Sequence, residues 1–263
     1  MANYLPLSGR SILLTRSANQ LGSSKKLFES FGANVFELPA LIIGPPDEFG
    51  HLDGALDELD TFHWIIFSSV NGVNAVEQRL ALKNMSLKDK KKHLKIAAVG
   101  RKTSDFLKQL DIAIDFVPPD FNADSLITHF PVSGAGLKML IPRVQSGGRT
   151  VLAEAFASSG SHVVEVAAYE TSCPKTIPQI TIDAFNENKI DAITFTSSKI
   201  VSHCYTLLKR YFGEELEFKL GEIKLLSIGP QTTKSCQKYF KRVDIEAIPH
   251  DMNGLIKACI KIF

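Results

Sequence analysis

One long internal repeat limits the folds open to this chain. WIIFSSVNGVNAV at 64–76 aligns with AITFTSSKIVSHC at 192–204, placing Ser69 on Ser197 at an offset of 197 − 69 = 128. KIAAVGRKTSDFL aligns with KLLSIGPQTTKSC, with Gly100 on Gly229 and Thr103 on Thr232, an offset of 229 − 100 = 129. LLTRSANQ and LFESFGANVFELPAL are answered by LIPRVQSG and AEAFASSGSHVVEVAAY, which sets Arg16 near Arg143 and Gly32 on Gly160, and ADSLITHF is answered by MNGLIKAC. Four separated segments sharing nearly one offset are not a chance match. A period this long means two domain-sized copies, because solenoid repeats are far shorter. The 263 residues suffice for two domains of roughly 100 to 150 residues each.

Within each copy, short apolar runs alternate with amphipathic stretches, the pattern of parallel strands joined by helices. The strands are expected at 11–16, 63–69, 95–100, 137–143, 192–198 and 224–229. After Arg16, Leu21, Leu27, Phe28 and Phe31 fall on one helical side and Gly32 provides the stop. The fold class expected is therefore α/β, with parallel sheets covered on both faces. Hydrophobic residues at 44% supply two cores and charged residues at 22% a solvated surface, which excludes disorder.

Charge and cysteine usage exclude several function classes. The formal charge is +2, and the one basic run, Lys88 to Lys92, reads as a solvated loop or helix end; no nucleic-acid partner is expected. Cys173, Cys204, Cys236 and Cys259 lack CxxC spacing, and the seven histidines never pair at metal intervals, so no metal is expected and a reducing compartment is. The first residues carry no apolar run of signal-peptide length and no segment approaches twenty apolar residues, so the expectation is a cytoplasmic protein without a membrane partner.

The repeated junctions are the candidate site. IIF-Ser68-Ser69-Val-Asn71 and ITF-Thr196-Ser197-Ser198 put small hydroxyl residues between a strand and a helix. In an open parallel sheet that is the carboxyl edge, where ligands bind and where the next helix offers unpaired N–H groups to a carboxylate or phosphate. Ser69 and Ser197 are equally readable as ordinary helix N-caps. Gly100-Arg-Lys-Thr103 and Gly229-Pro-Gln-Thr232 form a second repeated junction, whose threonine caps its helix or faces a cleft. Arg16 and Arg143 end matching strands, to meet acidic groups of a ligand or to form surface ion pairs.

Other motifs are set aside. SGAGLKML contains GxG but precedes a strand, so it is a turn, and IPRVQSGGRT lacks the GK[ST] ending of a phosphate loop. No GxSxG elbow is present.

LLTRS, ELPAL, IIFSSVNGV, AAVGRKT, LIPRVQSGGRTVL, VVEVAAYET, ITFTSS and SIGPQTT, in this order, resemble the uroporphyrinogen-III synthase family over about 11–256. The resemblance implies two similar three-layer, flavodoxin-like parallel-sheet domains joined by a two-stranded β linker. One would comprise 1–37 plus 171–263 and the other 42–165, with 38–41 and 166–170 as linker strands in a ladder between 37–42 and 165–171. From the repeat alone, a tandem split near residue 132 is equally open.

The implied substrate is hydroxymethylbilane, a linear tetrapyrrole with eight carboxylates. The implied reaction closes the ring with inversion of the last pyrrole and loss of water, through a spiro intermediate and with no metal or organic cofactor. Tyr169 matches the family's tyrosine beside the linker and is the implied proton donor to the departing hydroxyl; its alternative is a packed strand tyrosine. Ser69, Thr103, Ser197 and Thr232 match hydroxyl positions facing the cleft, and Arg16, Ser68, Asn71, Arg143 and Ser198 complete the candidate substrate-binding set. FSSVNG departs from the family's usual FTSPNG at Ser68 and Val70. A monomer is expected, with the upstream hydroxymethylbilane synthase as the candidate protein partner. The competing readings are a two-lobed module that binds a small anion unchanged, and a phosphosugar isomerase-like enzyme, for which no acid/base pair is found.

Overall fold

The computed structural model describes residues 5–89, 92–147 and 150–263. Met1 to Tyr4, Lys90 and Lys91 of the basic run, and Gly148 and Arg149 of the glycine-rich loop lie outside the described residues.

In chain order the elements are β1 (Ser11–Leu14), α1 (Ala18–Glu29) and β2 (Asn34–Glu37), followed by β3 (Ile42–Gly44), α2 (Gly50–Asp57), β4 (Trp64–Phe67), α3 (Val70–Ala81) and β5 (Lys95–Ala98). Next come α4 (Arg101–Gln109), α5 (Ala123–His129), β6 (Lys138–Val144), α6 (Val151–Ser158) and β7 (His162–Ser172). The chain ends with α7 (Gln179–Asn186), β8 (Ala192–Phe195), α8 (Ser198–Phe212), α9 (Leu216–Leu220), β9 (Lys224–Ser227), α10 (Pro230–Phe240), β10 (Ile245–Glu246) and α11 (Met252–Ile262). These elements form two compact units, Met1–Ile42 with Ser172–Phe263, and Ile43–Thr171.

The discontinuous unit holds a five-stranded sheet in the order β10-β9-β8-β1-β2, with these neighbours parallel. Counted along this unit's own chain the order is 2-1-3-4-5, the doubly wound arrangement of flavodoxin-like folds. The period of two explains the core. Leu13, Ile193, Phe195 and Leu225 point into one cluster, with Phe185, Leu208 and Phe212, while Ile12, Leu14, Ala192 and Leu226 point into another, with Phe28 and Leu255.

The middle unit has the order β3-β7-β6-β4-β5. Its strands divide likewise: Ile65, Phe67, Ile96 and Leu140 on one face, Trp64, Ile66, Ala97 and Met139 on the other. The repeat maps β6 onto β1, β7 onto β2, β4 onto β8 and β5 onto β9. The bridge between Ala97 and Phe116 falls where Leu226 pairs with Ile245 on β10. The order 2-1-3-4-5 therefore recurs, with β3 added at the edge beside β7. The chain's point of entry differs as well: after β3, this unit goes first to the equivalent of β8 and finishes on the equivalents of β1 and β2.

The six expected strands are present; five end earlier at their carboxyl sides, so that Arg16, Ser69, Gly100, Ser198 and Gly229 lie just beyond them, whereas β6 runs to Val144 and contains Arg143. β2, β7 and β10 were not legible as apolar runs because many of their side chains are only half-buried. The expected linker ladder takes another form. Residues 38–41 form no strand; β3 lies beside β7, and β7 runs unbroken over eleven residues within the middle unit's sheet.

Candidate active site

In both units the switch point of the strand order lies between two central strands, β4 and β6 in the middle unit and β8 and β1 in the other. At such a point adjacent connections leave in opposite directions and open a crevice at the carboxyl ends.

In the middle unit β4 ends at Phe67, Ser68 is exposed, and Ser69 adopts an extended backbone. The Ser69 Oγ accepts the Gly72 N–H at 3.1 Å, so Ser69 is the N-cap of α3, and the half-buried Asn71 lies in the first turn. Gly72 sits at a close approach of two backbones: a Cβ there would stand 3.2 Å from the Pro142 carbonyl of β6. The Ser69 Oγ also lies 3.1 Å from the Tyr169 hydroxyl on β7. Tyr169 is aimed by an irregularity, since Arg143 pairs with Ala167 but Val144 pairs with Tyr169, so that Ala168 is extra. A bulge of this kind re-aims a side chain.

Hydroxyl bookkeeping constrains the pair. With one lone pair of Ser69 given to Gly72, one proton and one lone pair remain, so Ser69 accepts from the phenol or donates to it. Arg143 forms an ion pair with Glu165 at 2.7 Å. Thr103 does not cap α4; Gly100 is the N-cap residue, and Thr103 is buried in the first turn.

The discontinuous unit repeats the corner with different neighbours. Ser197 caps α8 by accepting the Ile200 N–H at 3.3 Å. The exposed Ser198 donates to the Gln231 carbonyl at 3.0 Å, tying the start of α8 to the start of α10. Thr232 is buried like Thr103, and Gly229 stands at the N-cap with Pro230 following.

Arg16 differs most from its counterpart. Its guanidinium donates to the Ser24 hydroxyl at 2.6 Å and to the Gln20 side-chain carbonyl at 2.9 Å, and no carboxylate pairs with it among the described residues. Its Nε is buried without a partner, and burial lowers its pKa from the ordinary value. Ser17, the residue before α1, makes no side-chain cap.

Sequence reasoning missed the contact between Ser69 and Tyr169 and the role of Glu165. A signal for the second existed: Glu165 in VVEV falls on Glu37 in VFEL at the common offset of 128 (165 − 37). The cysteines offer no nucleophile, since burial raises the thiols of Cys236 and Cys259 to about 12. Among the described residues no group of three or more His, Cys, Asp or Glu is placed to hold a metal, and no helix is long and apolar enough to cross a membrane.

The model of the family described as "Uroporphyrinogen-III synthase HemD" matches residues 23–257. The chain belongs to the uroporphyrinogen-III synthase family. A uroporphyrinogen-III synthase of Synechococcus elongatus is 40% identical over 253 residues, 96% of this chain and 95% of the relative. One of Chlorobaculum parvum is 25% identical over 250 residues, 93% and 95% of the two chains. Among solved structures, a mutant uroporphyrinogen III synthase of Thermus thermophilus superposes with a TM-score of 0.62 at 15% identity, covering 96% of this chain and 98% of the other. The uroporphyrinogen-III synthetase of Helicobacter pylori gives 0.61 at 15%, covering 97% and 100%. At these identities the structures establish the two-domain α/β fold, and the family rests on the sequence matches. Family membership makes the chain an enzyme of tetrapyrrole biosynthesis, a uroporphyrinogen-III synthase.

Proposed function

We propose that this member of the family is a hydro-lyase that closes hydroxymethylbilane to uroporphyrinogen III, with Tyr169 as proton donor. The observation that carries this reading is the 3.1 Å contact between the Tyr169 and Ser69 hydroxyls. As the terminal C–O bond breaks, the phenol gives its proton to the departing hydroxyl, which leaves as water. The remaining electron-poor pyrrole is a cationic azafulvene. Ser69, already accepting from Gly72, turns its single proton to the phenolate oxygen and limits the charge that develops there. The substituted α-carbon of the last ring then attacks the azafulvene methylene, giving the spiro intermediate; the older bond from that carbon to its bridging methylene breaks, the bridging methylene bonds to the free α-carbon of the same ring, and loss of that carbon's proton completes the inverted macrocycle and returns the proton.

The rest of the corner residues grip carboxylates. Ser68, Asn71 and Thr103 in the middle unit, and Ser197, Ser198 and Thr232 in the other, accompany helix starts whose N–H groups favour an anion by about 0.3 to 1 kcal/mol each. Arg16, lacking a carboxylate of its own, is the stronger of the two arginine candidates, because Arg143 must first leave Glu165. Linear tetrapyrroles close without help to the uninverted isomer, so the enzyme's contribution is orientation. A cytoplasmic monomer that receives its unstable substrate from hydroxymethylbilane synthase suits this chemistry. The alternative of an anion-binding module is the weaker reading, because the family's named activity is a synthase.

The test is incubation of the purified protein with freshly made hydroxymethylbilane, followed by oxidation and separation of the porphyrin isomers. Isomer III formed faster than buffer yields isomer I supports the reading; isomer I alone at the buffer rate overturns it. Tyr169→Phe is expected to slow isomer III formation about tenfold, the value of one lost hydrogen bond of about 1.4 kcal/mol. Unchanged turnover in that variant returns Tyr169 to a packing role.

A further inference from the structure

The second pair of corners, at the starts of α4 and α10, contains its own control. An offset of 129 aligns them bond for bond in their scaffold. The Asp115 carboxylate accepts the Ile96 N–H at 2.8 Å, and the Asp244 carboxylate accepts the Leu225 N–H at 2.7 Å. Asn122 caps α5 at the Ser125 N–H, and Asp251 caps α11 at the Gly254 N–H, both at 2.8 Å.

Four positions around this shared scaffold differ in chemistry. In the middle unit they are Ala98, Ser104, Val117 and Phe121; in the other they are Ser227, Thr233, Glu246 and His250. The second set is linked. The fully buried Ser227 has its Oγ 2.5 Å from the Thr233 Oγ1, and Thr233 donates to the Glu246 carboxylate in a very short hydrogen bond. The other Glu246 oxygen lies 4.0 Å from the His250 Nδ1, which donates to the Ala247 carbonyl at 2.8 Å.

Proton counting gives the chain a direction. Glu246 accepts, so Thr233 spends its only proton there, and Ser227 must donate to Thr233. With Nδ1 committed to a carbonyl, the half-exposed His250 presents Nε2, and its ring lies against Gly229, where a Cβ would come within 3.2 Å of it. In the middle unit Ser104 merely donates back to the Arg101 carbonyl at 3.0 Å, and the Arg101 guanidinium stacks 4.4 Å over Phe121. The corner therefore forms without the polar chain. A satisfied network of this kind rigidifies the corner and holds the Glu246 carboxylate in one orientation.

We infer that Glu246, oriented by Ser227 and Thr233 and flanked by His250, is the acceptor that this corner offers to a pyrrole N–H of the substrate, a hydrogen bond that strengthens as positive charge develops on the substrate. The inference rests on the cyclase reading and assigns a residue beyond it.

The experiment compares wild type with Glu246→Gln, which keeps an acceptor for Thr233 and removes the charge, and with Glu246→Val, which copies the middle unit. Initial rates of isomer III formation against hydroxymethylbilane concentration give kcat and KM, and thermal unfolding of the same preparations gives Tm. Expected are a fall in kcat of about tenfold in Glu246→Gln, as for loss of a hydrogen bond to a charged group, with little change in KM or Tm, and a larger fall in Glu246→Val. Wild-type kcat in both variants, or a fall that only tracks a lower Tm, overturns the inference. Absence of isomer III from wild type itself overturns the cyclase reading instead, so the two failures are distinguishable.

Discussion

Arg16, just beyond β1, and Arg143, near the end of β6, occupy matching places and have matching glutamates at the common offset, yet only one of them is neutralised. In the middle unit Glu165 pairs with Arg143, whereas in the discontinuous unit the equivalent Glu37 pairs with Lys25 at 3.4 Å. Arg16 is left with neutral partners in a partly desolvated setting that disfavours its charge. The same contrast separates the serine corners: both serines cap a helix, but only Ser69 is joined to a tyrosine. Duplication preserved the scaffold, and chemistry diverged at the few side chains that face the carboxyl edge. A guanidinium held without a counter-charge is costly.

The largest test of the shared scaffold is Phe67→Ala against Phe195→Ala, since the two fully buried rings occupy equivalent places at the ends of β4 and β8. Each is expected to cost about 3 to 5 kcal/mol in denaturant unfolding. A near-neutral result in one would show that the two cores are not equivalent.

Gly72→Val comes next. Its equivalent at offset 128 is Ile200, whose side chain is buried comfortably, while the Pro142 carbonyl blocks the same space in the middle unit. A loss of about 1 to 3 kcal/mol is expected, against under about 1.5 kcal/mol for Ile200→Val; equal costs measured by thermal unfolding would break the contrast.

Ser69→Ala and Ser197→Ala should each remove about 1 kcal/mol of capping. The pair separates by function, because only Ser69→Ala also releases Tyr169 and should lower the isomer III rate. Equal rate losses would mean that the tyrosine contact contributes nothing.

The smallest effect concerns His203, for which the middle unit has Ala75. Burial lowers its pKa, partly offset by the Nδ1 hydrogen bond to the Ala40 carbonyl. The folded state then binds its proton less readily than the unfolded chain. Stability is level above the unfolded value of about 6.5 and falls as pH drops from there to the lower folded value. His203→Ala should flatten this acid slope in urea titrations between wild type and variant; an unchanged slope rejects the assignment.

Much of this was legible in one dimension. The offset of 128 to 129 predicted paired α/β units, because a strand buried on both faces reads as a continuous apolar run and its helix as a periodic one. The carboxyl-edge hydroxyls were legible because a strand that ends on Ser-Ser or Thr-Ser before a helix must place them there. Edge strands escaped, since half-exposed residues such as those of β2 carry no such run. The choice between N-cap and ligand at Ser69 was also closed to sequence, as both uses need the same oxygen at the same spacing.

The sequence by itself determined the duplication, the class of fold and the chemical type of the corner residues, since these follow from periodicity, side-chain volume and donor count along the chain. Tertiary structure decided which residues meet: the extra Ala168 that aims Tyr169 at Ser69, the choice of Glu165 for Arg143, and the chain from Ser227 to Glu246. Those pairings depend on register and on residues 6 to 100 positions apart being brought within about 3 Å, where a hydrogen bond has its strength. Spacing along a chain does not encode that distance.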